Sequence, residues 1–174
     1  MSSTTLVLMG VSGAGKTTVM ASLAARLGWV TAEADDFHSA ANVEKMRAGV
    51  PLDDEDRWPW LASLADWIGG RESANDGAGE NAIVTCSALR RSYRDLLRRG
   101  HPSVLFVHLQ APAATLDARL RSRPDHYMPP ALLSSQLHTL EPLAPDEPGA
   151  VLSTDAGVGP VVDDILALLE LGAT

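Results

Sequence analysis

The sequence predicts an α/β fold: a five-stranded parallel sheet with helices on both faces and a small helical lid. Three observations lead there. Short apolar runs of strand length alternate with longer segments of helical period, which is the mark of βαβ units. A glycine-rich loop joins the first apolar run directly to the first helical segment. The 174 residues, 45% hydrophobic and 21% charged, suit one domain spanning 1–174 with room for a packed core.

Taken in order, Leu6–Met9 is apolar and reads as the first strand. Thr18 to Leu27 carries apolar side chains at helical spacing and reads as the helix after the loop. Trp29–Ala34 reads as the second strand and leads into Asp35-Asp36-Phe37-His38. Asn42–Ala48 is a short helix ended by Gly49 and Pro51. Asp53-Asp54-Glu55-Asp56 opens the next helix, where acids are favoured by the helix dipole, and Trp60, Leu61, Leu64, Ala65 and Ile68 give it one apolar face.

Gly69 to Asn81 is rich in Gly, Ser, Asn and Asp and reads as a solvated loop. Ala82–Cys86 is the third strand, Leu89–Arg99 a basic helix stopped by Gly100, and Val104–Leu109 the fourth strand. Ala113–Arg123 is a helix broken by Pro124, and Leu132–Leu140 another. The stretch between them makes a lid over roughly residues 121–140. Val151–Leu152 is a short fifth strand, and Val161–Leu171 an apolar closing helix. In such a sheet the carboxyl ends of the strands form the ligand edge. That edge gathers the glycine loop, Asp35 to His38, and Ser87.

Charge and cysteine usage exclude some partners. The net charge is −8, from 14 basic and 22 acidic residues, which disfavours a nucleic-acid backbone as ligand. The arginines cluster instead, at Arg90 to Arg99 and at Arg119, Arg121 and Arg123, as suits small anions. The lone Cys86 allows no internal disulfide, and neither a secretory leader nor a membrane-length apolar run is visible. A cytoplasmic protein is expected.

Gly10-Val11-Ser12-Gly13-Ala14-Gly15-Lys16-Thr17 is a full GxxxxGK[ST] phosphate-binding loop in its strand–loop–helix context. Its glycines let backbone N–H groups from Gly10, Ser12, Gly13, Ala14, Gly15 and on to Thr18 turn around a polyphosphate. The helix N-terminus adds partial positive charge at the same point. Lys16 is placed for the β- and γ-phosphates of ATP, and Thr17 for Mg²⁺.

No guanine-reading NKxD and no motor-type Asp-Glu pair follows, which leaves a compact kinase of a small metabolite. Such an enzyme needs a carboxylate for the acceptor hydroxyl, and Glu33, Asp35 and Asp36 stand where one is required. Asp35 is the choice for base or orienter, and as a Mg²⁺ contact; a helix N-cap is its competing role. The enzyme also needs cationic cover over the transferring phosphate. Arg121 is assigned the catalytic part of that cover, and Arg119 and Arg123 nucleotide contacts. A solvated helix end is the alternative for each.

Further blocks are Asp35-Asp36-Phe37-His38, Asn42-Val43-Glu44-Lys45-Met46 and Gly49-Val50-Pro51-Leu52-Asp53-Asp54-Glu55-Asp56-Arg57 with Trp60-Leu61. Others are Cys86-Ser87-Ala88-Leu89-Arg90 with Tyr93-Arg94-Asp95-Leu96-Leu97-Arg98, His126-Tyr127-Met128, and Leu132-Leu133-Ser134-Ser135-Gln136 with Thr139-Leu140-Glu141-Pro142. Together these resemble the gluconate kinases over nearly the whole chain.

The resemblance implies ATP-dependent phosphorylation of D-gluconate on its 6-hydroxyl, a P-loop kinase fold like that of adenylate kinase with a five-stranded parallel sheet, and a homodimer. By analogy with the related shikimate kinases it gives Asp35 the acceptor hydroxyl and Arg57 the substrate, as a guanidinium can grip a carboxylate with two hydrogen bonds. His38, Lys45, Ser87, Arg90 and Arg94 complete the expected substrate set, with loop-capping and solvated-surface roles as alternatives. Trp60 is expected in the core rather than as a sugar platform.

The chain departs from the family pattern at Glu33, where Asp is usual, at Arg90, where Lys is usual, and in the lid, where Arg123-Pro124-Asp125-His126 replaces an Arg-Lys before the His. A kinase of another hydroxy acid such as shikimate, or a nucleotide-dependent binding module without kinase activity, are the competing functions.

Overall fold

A computed structural model describes residues 3–123 and 130–172. Five strands form one sheet in the order β2-β3-β1-β4-β5, and every pairing is parallel. The strands are β1 (Thr5–Met9), β2 (Val30–Glu33), β3 (Ala82–Thr85), β4 (Val104–Gln110) and β5 (Gly149–Ser153). The helices are α1 (Lys16–Leu27), α2 (Ala40–Arg47), α3 (Asp54–Glu72), α4 (Arg91–Arg98), α5 (Ala113–Arg121), α6 (Pro130–Thr139) and α7 (Val158–Gly172).

The period of two along β1 sends alternate side chains to opposite faces. Leu6 and Leu8 pack with Val19, Leu23, Val161 and Ile165, the apolar faces of α1 and α7. Val7 and Met9 pack with Leu61, Leu64, Ile68 and Leu97 of α3 and α4. Both faces of the sheet are therefore covered, which is why its central strands are apolar throughout. Register brings Leu8 beside Thr85, Met9 beside His108, and Glu33 beside Thr85, so the carboxyl ends form one rim.

Element boundaries differ from the sequence reading where tertiary contacts decide them. The expected loop from Gly69 is helix as far as Glu72. Gly69 serves close packing there, since a Cβ on it would meet the His101 ring at 3.0 Å. That ring bonds Glu72 through Nδ1 at 2.6 Å and so draws the loop before β4 against α3. The basic helix begins at Arg91, because Arg90 is extended (φ −107, ψ 148). Residues 34–37, read partly as strand, form a 3₁₀ turn that lifts Asp35 off the sheet edge.

Candidate active site

A cleft of about 520 Å³ opens along the rim, within the usual range for a small-molecule site. The phosphate loop forms one wall. At Gly10 (φ 139) a Cβ would lie 2.4 Å from the carbonyl oxygen of Leu109, so only glycine lets the loop press against β4. Gly15 is left-handed (φ 99) and starts α1, which aims the helix N-terminus at the cleft. Ser12, Gly13, Gly15, Lys16 and Thr17 line the cleft. Gly10 and the buried Ala14 form the loop's underside, and Thr18 is exposed as the third residue of α1.

Lys16 Nζ donates to the carbonyls of Gly10 and Val11, both at 3.0 Å. Burial pulls its ammonium pKa down, against the opposing pull of Asp35, Cys86 and Glu33. A cation that has lost water in this way gains strongly from an incoming phosphate. Burial also pushes the neighbouring Cys86 thiol up to about 12, so it stays protonated.

The opposite wall presents two carboxylates in different states. Glu33 accepts the Thr85 hydroxyl across the β2–β3 pairing and is tied to the sheet. Asp35 projects from the 3₁₀ turn with its side chain 89% exposed, and is the free one. His38 faces Asp35, with Nε2 at 3.9 Å from Oδ1. Its ring stacks on Trp60 at 4.3 Å between centroids and 17° between planes. Trp60 is core, as expected, and its indole N–H donates to the carbonyl of Ala34 at 2.6 Å.

Arg57 completes this wall. Its Nη1 donates to the Tyr93 hydroxyl at 3.0 Å, and that hydroxyl donates to Asp54 Oδ1 at 2.5 Å. The guanidinium is braced from behind and faces the cleft with donors to spare. Ser87 lies in the same cleft, at the end of β3.

Several expected site residues are elsewhere. Arg94 is not a substrate contact. Its side chain is 1% exposed, and it forms two hydrogen bonds with Glu147, at 2.6 and 2.9 Å, and further bonds with the carbonyls of Ala88, Glu141 and Pro142. Arg90 is drawn to Asp54 at 3.3 Å and lies over Tyr93, outside the cleft lining.

Lys45 is also taken, by both oxygens of Asp56 at 2.7 Å. It thereby locks α2 onto the capping box that Asp53 and Asp56 make at the start of α3. Arg121 pairs with Asp117 one turn back at 2.9 Å and is 71% exposed, away from the cleft. Arg119 donates to Gly13 O and to Thr154, so it braces the phosphate loop from behind rather than covering it. Arg123 alone of the three arginines lines the cleft. Its charge also bears on Lys16, adding to the fall in that pKa. The expected lid residues His126, Tyr127 and Met128 lie outside the described residues.

Three contributors were not assigned these roles in the sequence reading. Arg47 lines the cleft from the end of α2. Gln136 of α6 accepts the Ser12 N–H at 2.8 Å, so α6 bonds the phosphate loop directly. Glu141 accepts the Arg91 N–H at 2.6 Å and its own N–H donates to Leu89 O at 2.7 Å, which supplies α4 with an N-terminal cap from a distant segment. In the sequence only the Gln136 and Glu141 blocks stand out, as family matches with no role beyond holding the lid helix.

The oxygens of Thr17, Asp35 and Glu33 are hard donors of the kind Mg²⁺ takes. Among the described residues no cluster of three or more His, Cys, Asp or Glu is arranged to hold an ion. That donor set fits a magnesium ion held chiefly by phosphate oxygens and water, with one or two protein contacts.

Comparisons with known proteins agree with this geometry. A family model described as an AAA domain matches residues 6–143. A gluconokinase of Gluconobacter oxydans is 48% identical over 161 residues, covering 92% of this chain and 88% of that protein. A sugar kinase from Janibacter sp., solved unliganded, matches with a TM-score of 0.89 at 48% identity, over 97% of this chain and 95% of that one. A gluconokinase structure from Sinorhizobium meliloti gives 0.83 at 38% identity, over 94% and 90% of the two chains. The matched region spans the phosphate loop and the acceptor wall alike, and the chain belongs to the gluconokinase family of P-loop kinases.

Proposed function

We propose that this chain transfers the γ-phosphate of ATP to the 6-hydroxyl of D-gluconate, giving 6-phosphogluconate and ADP. One observation carries the reading: a phosphate loop with a buried lysine and a wall with a free carboxylate and a braced arginine face each other across a single cleft. The gluconokinase relatives supply the sugar acid.

In this reading the loop amides and Lys16 hold the β- and γ-phosphates, and Arg123 adds charge from the lid side. Arg57 grips the substrate carboxylate, with Arg47 as a further cation at the mouth. Asp35 accepts the proton of the attacking hydroxyl as its oxygen bonds to phosphorus and the bond from phosphorus to the β–γ bridging oxygen breaks. Thr17 and Asp35 would hold Mg²⁺ beside the phosphates, where the bound ion would supply charge neutralisation. Met46, Val50, Pro51 and Leu52 form an apolar rim that discourages water as the acceptor.

The same reading includes a homodimer in the cytoplasm. The family likeness supports the dimer, and a single buried cysteine suits a reducing compartment. No described helix is long and apolar enough to cross a membrane.

The test is 6-phosphogluconate formation coupled to its dehydrogenase, with ATP and Mg²⁺ present. Turnover with gluconate is expected and turnover with shikimate is not; the reverse pattern overturns the substrate. Lys16→Ala lowers kcat/KM for ATP by about 10² or more, as expected on loss of a preorganised cation, while thermal unfolding stays cooperative. Global unfolding of that variant removes the case for phosphate contacts.

A further inference from the structure

We propose that His38 is a positioning residue for the transfer, holding the Asp35 carboxylate in orientation through its Nε2–H rather than binding the sugar acid itself. The inference rests on the reading of Asp35 as the acceptor's base.

The tautomer follows from the buried Asn42. Its amide nitrogen Nδ2 donates to the carbonyl of Asp56 at 2.9 Å, which fixes which end of the amide is nitrogen. The same Nδ2 lies 3.4 Å from His38 Nδ1, and an amide nitrogen has only hydrogens to offer. Nδ1 is therefore the acceptor, and the ring proton sits on Nε2, the atom that faces Asp35.

The ring cannot turn away. Its side chain is 4% exposed, pressed flat on Trp60, which is itself pinned to Ala34 O. Asp35 is the mobile member, and a side-chain rotation of Asp35 closes the 3.9 Å gap to hydrogen-bond distance. His38 borders the cleft, but both ring nitrogens have protein partners: one is engaged by Asn42 and the other is turned to Asp35.

Three variants test it. His38→Phe keeps the stacking plate and removes the N–H, while His38→Gln places an amide N–H close to the Nε2 position. For His38→Phe the expected loss is about 10- to 100-fold in kcat, the scale of a misplaced catalytic group, with both KM values nearly unchanged. His38→Gln recovers most of it. In an Asp35→Asn background, His38→Phe adds little further loss.

A rise in the gluconate KM with kcat unchanged overturns the proposal, because it makes His38 a substrate contact. So does an undiminished His38→Phe effect in the Asp35→Asn background. Wild-type activity of Asp35→Asn alone overturns the base assignment itself, a separate failure. Nitrogen NMR of the wild-type protein reads the tautomer without any variant. A protonated-type signal at Nε2 and a lone-pair type at Nδ1 are expected, and the opposite pattern sinks the idea.

Discussion

Replacing Asp35 by Asn is expected to lower kcat by about 10²–10⁴, the usual contribution of a positioned general base, while leaving the melting temperature near its wild-type value. The amide keeps the size of the side chain and removes the acceptor for the hydroxyl proton. Stability should not suffer, because the side chain is 89% exposed and His38 is 3.9 Å away. Steady-state kinetics with gluconate, alongside a thermal melt, checks both halves.

Glu33 is the obvious rival, since it lines the same cleft. Its Oε2 is engaged by Thr85, however, and the two residues are locked as register partners of β2 and β3. A carboxylate held in a sheet ladder is poorly placed to follow an acceptor hydroxyl. Glu33→Gln is accordingly expected to cost much less than Asp35→Asn. Kinetics that reverse this order transfer the base role to Glu33.

The second large effect is on stability. Breaking the Arg94–Glu147 pair from one side, by Glu147→Gln or Arg94→Met, is expected to cost about 3–5 kcal/mol, as uncompensated buried charges do. For a chain of this size that lowers Tm by roughly 6–20 °C. The two side chains are 1% and 4% exposed, so solvent screens little of the interaction.

Arg94 also holds the carbonyl of Ala88, a non-glycine residue at φ 44, and the carbonyls of Glu141 and Pro142. It thus bolts the turn after Ser87 to the segment that follows α6. A double-mutant cycle should show strong coupling, with the double variant losing much less than the two single losses combined.

The pH dependence has a defined sign. Burial pushes the Glu147 carboxyl up, but the Arg94 guanidinium and the Ala144 N–H outweigh it and hold the group below its ordinary 4.5. The pair's contribution is therefore full above about pH 4.5 and fades as pH falls through the lowered folded value. Melting temperatures of wild type and Glu147→Gln should stay widely separated at neutral pH and converge in acid. A gap that does not narrow in acid contradicts the ionic account.

Much of the site was legible because its signals are local. The loop from Gly10 to Thr17 declares itself within eight residues, between a strand and a helix whose apolar spacings are equally short-range. Asp35 and Ser87 follow from chain position, since a parallel sheet delivers the residues after its strands to one rim. Arg57 came from the family resemblance rather than from any local pattern, and its bracing by Tyr93 and Asp54 was not visible.

The arginines were not legible in this way. Arg90, Arg94 and Arg98 look equivalent at four-residue spacing, yet Arg90 lies before the helix begins and Arg94 alone is buried. The difference is Glu147, 53 residues away, which no local pattern announces. Arg121 is drawn away from the cleft for a similar reason, because Asp117, one turn back on α5, takes it, whereas the chain leaves the helix before Arg123, which lines the cleft.

The sequence by itself determined the fold and the phosphate loop, because backbone geometry and apolar periodicity act over a few residues. Only the tertiary structure decided what each long cationic side chain does and how His38 is enclosed. Those outcomes depend on which partner is brought within hydrogen-bond reach by elements distant in the chain, and the gain from such a contact is realised only when the fold has closed around it.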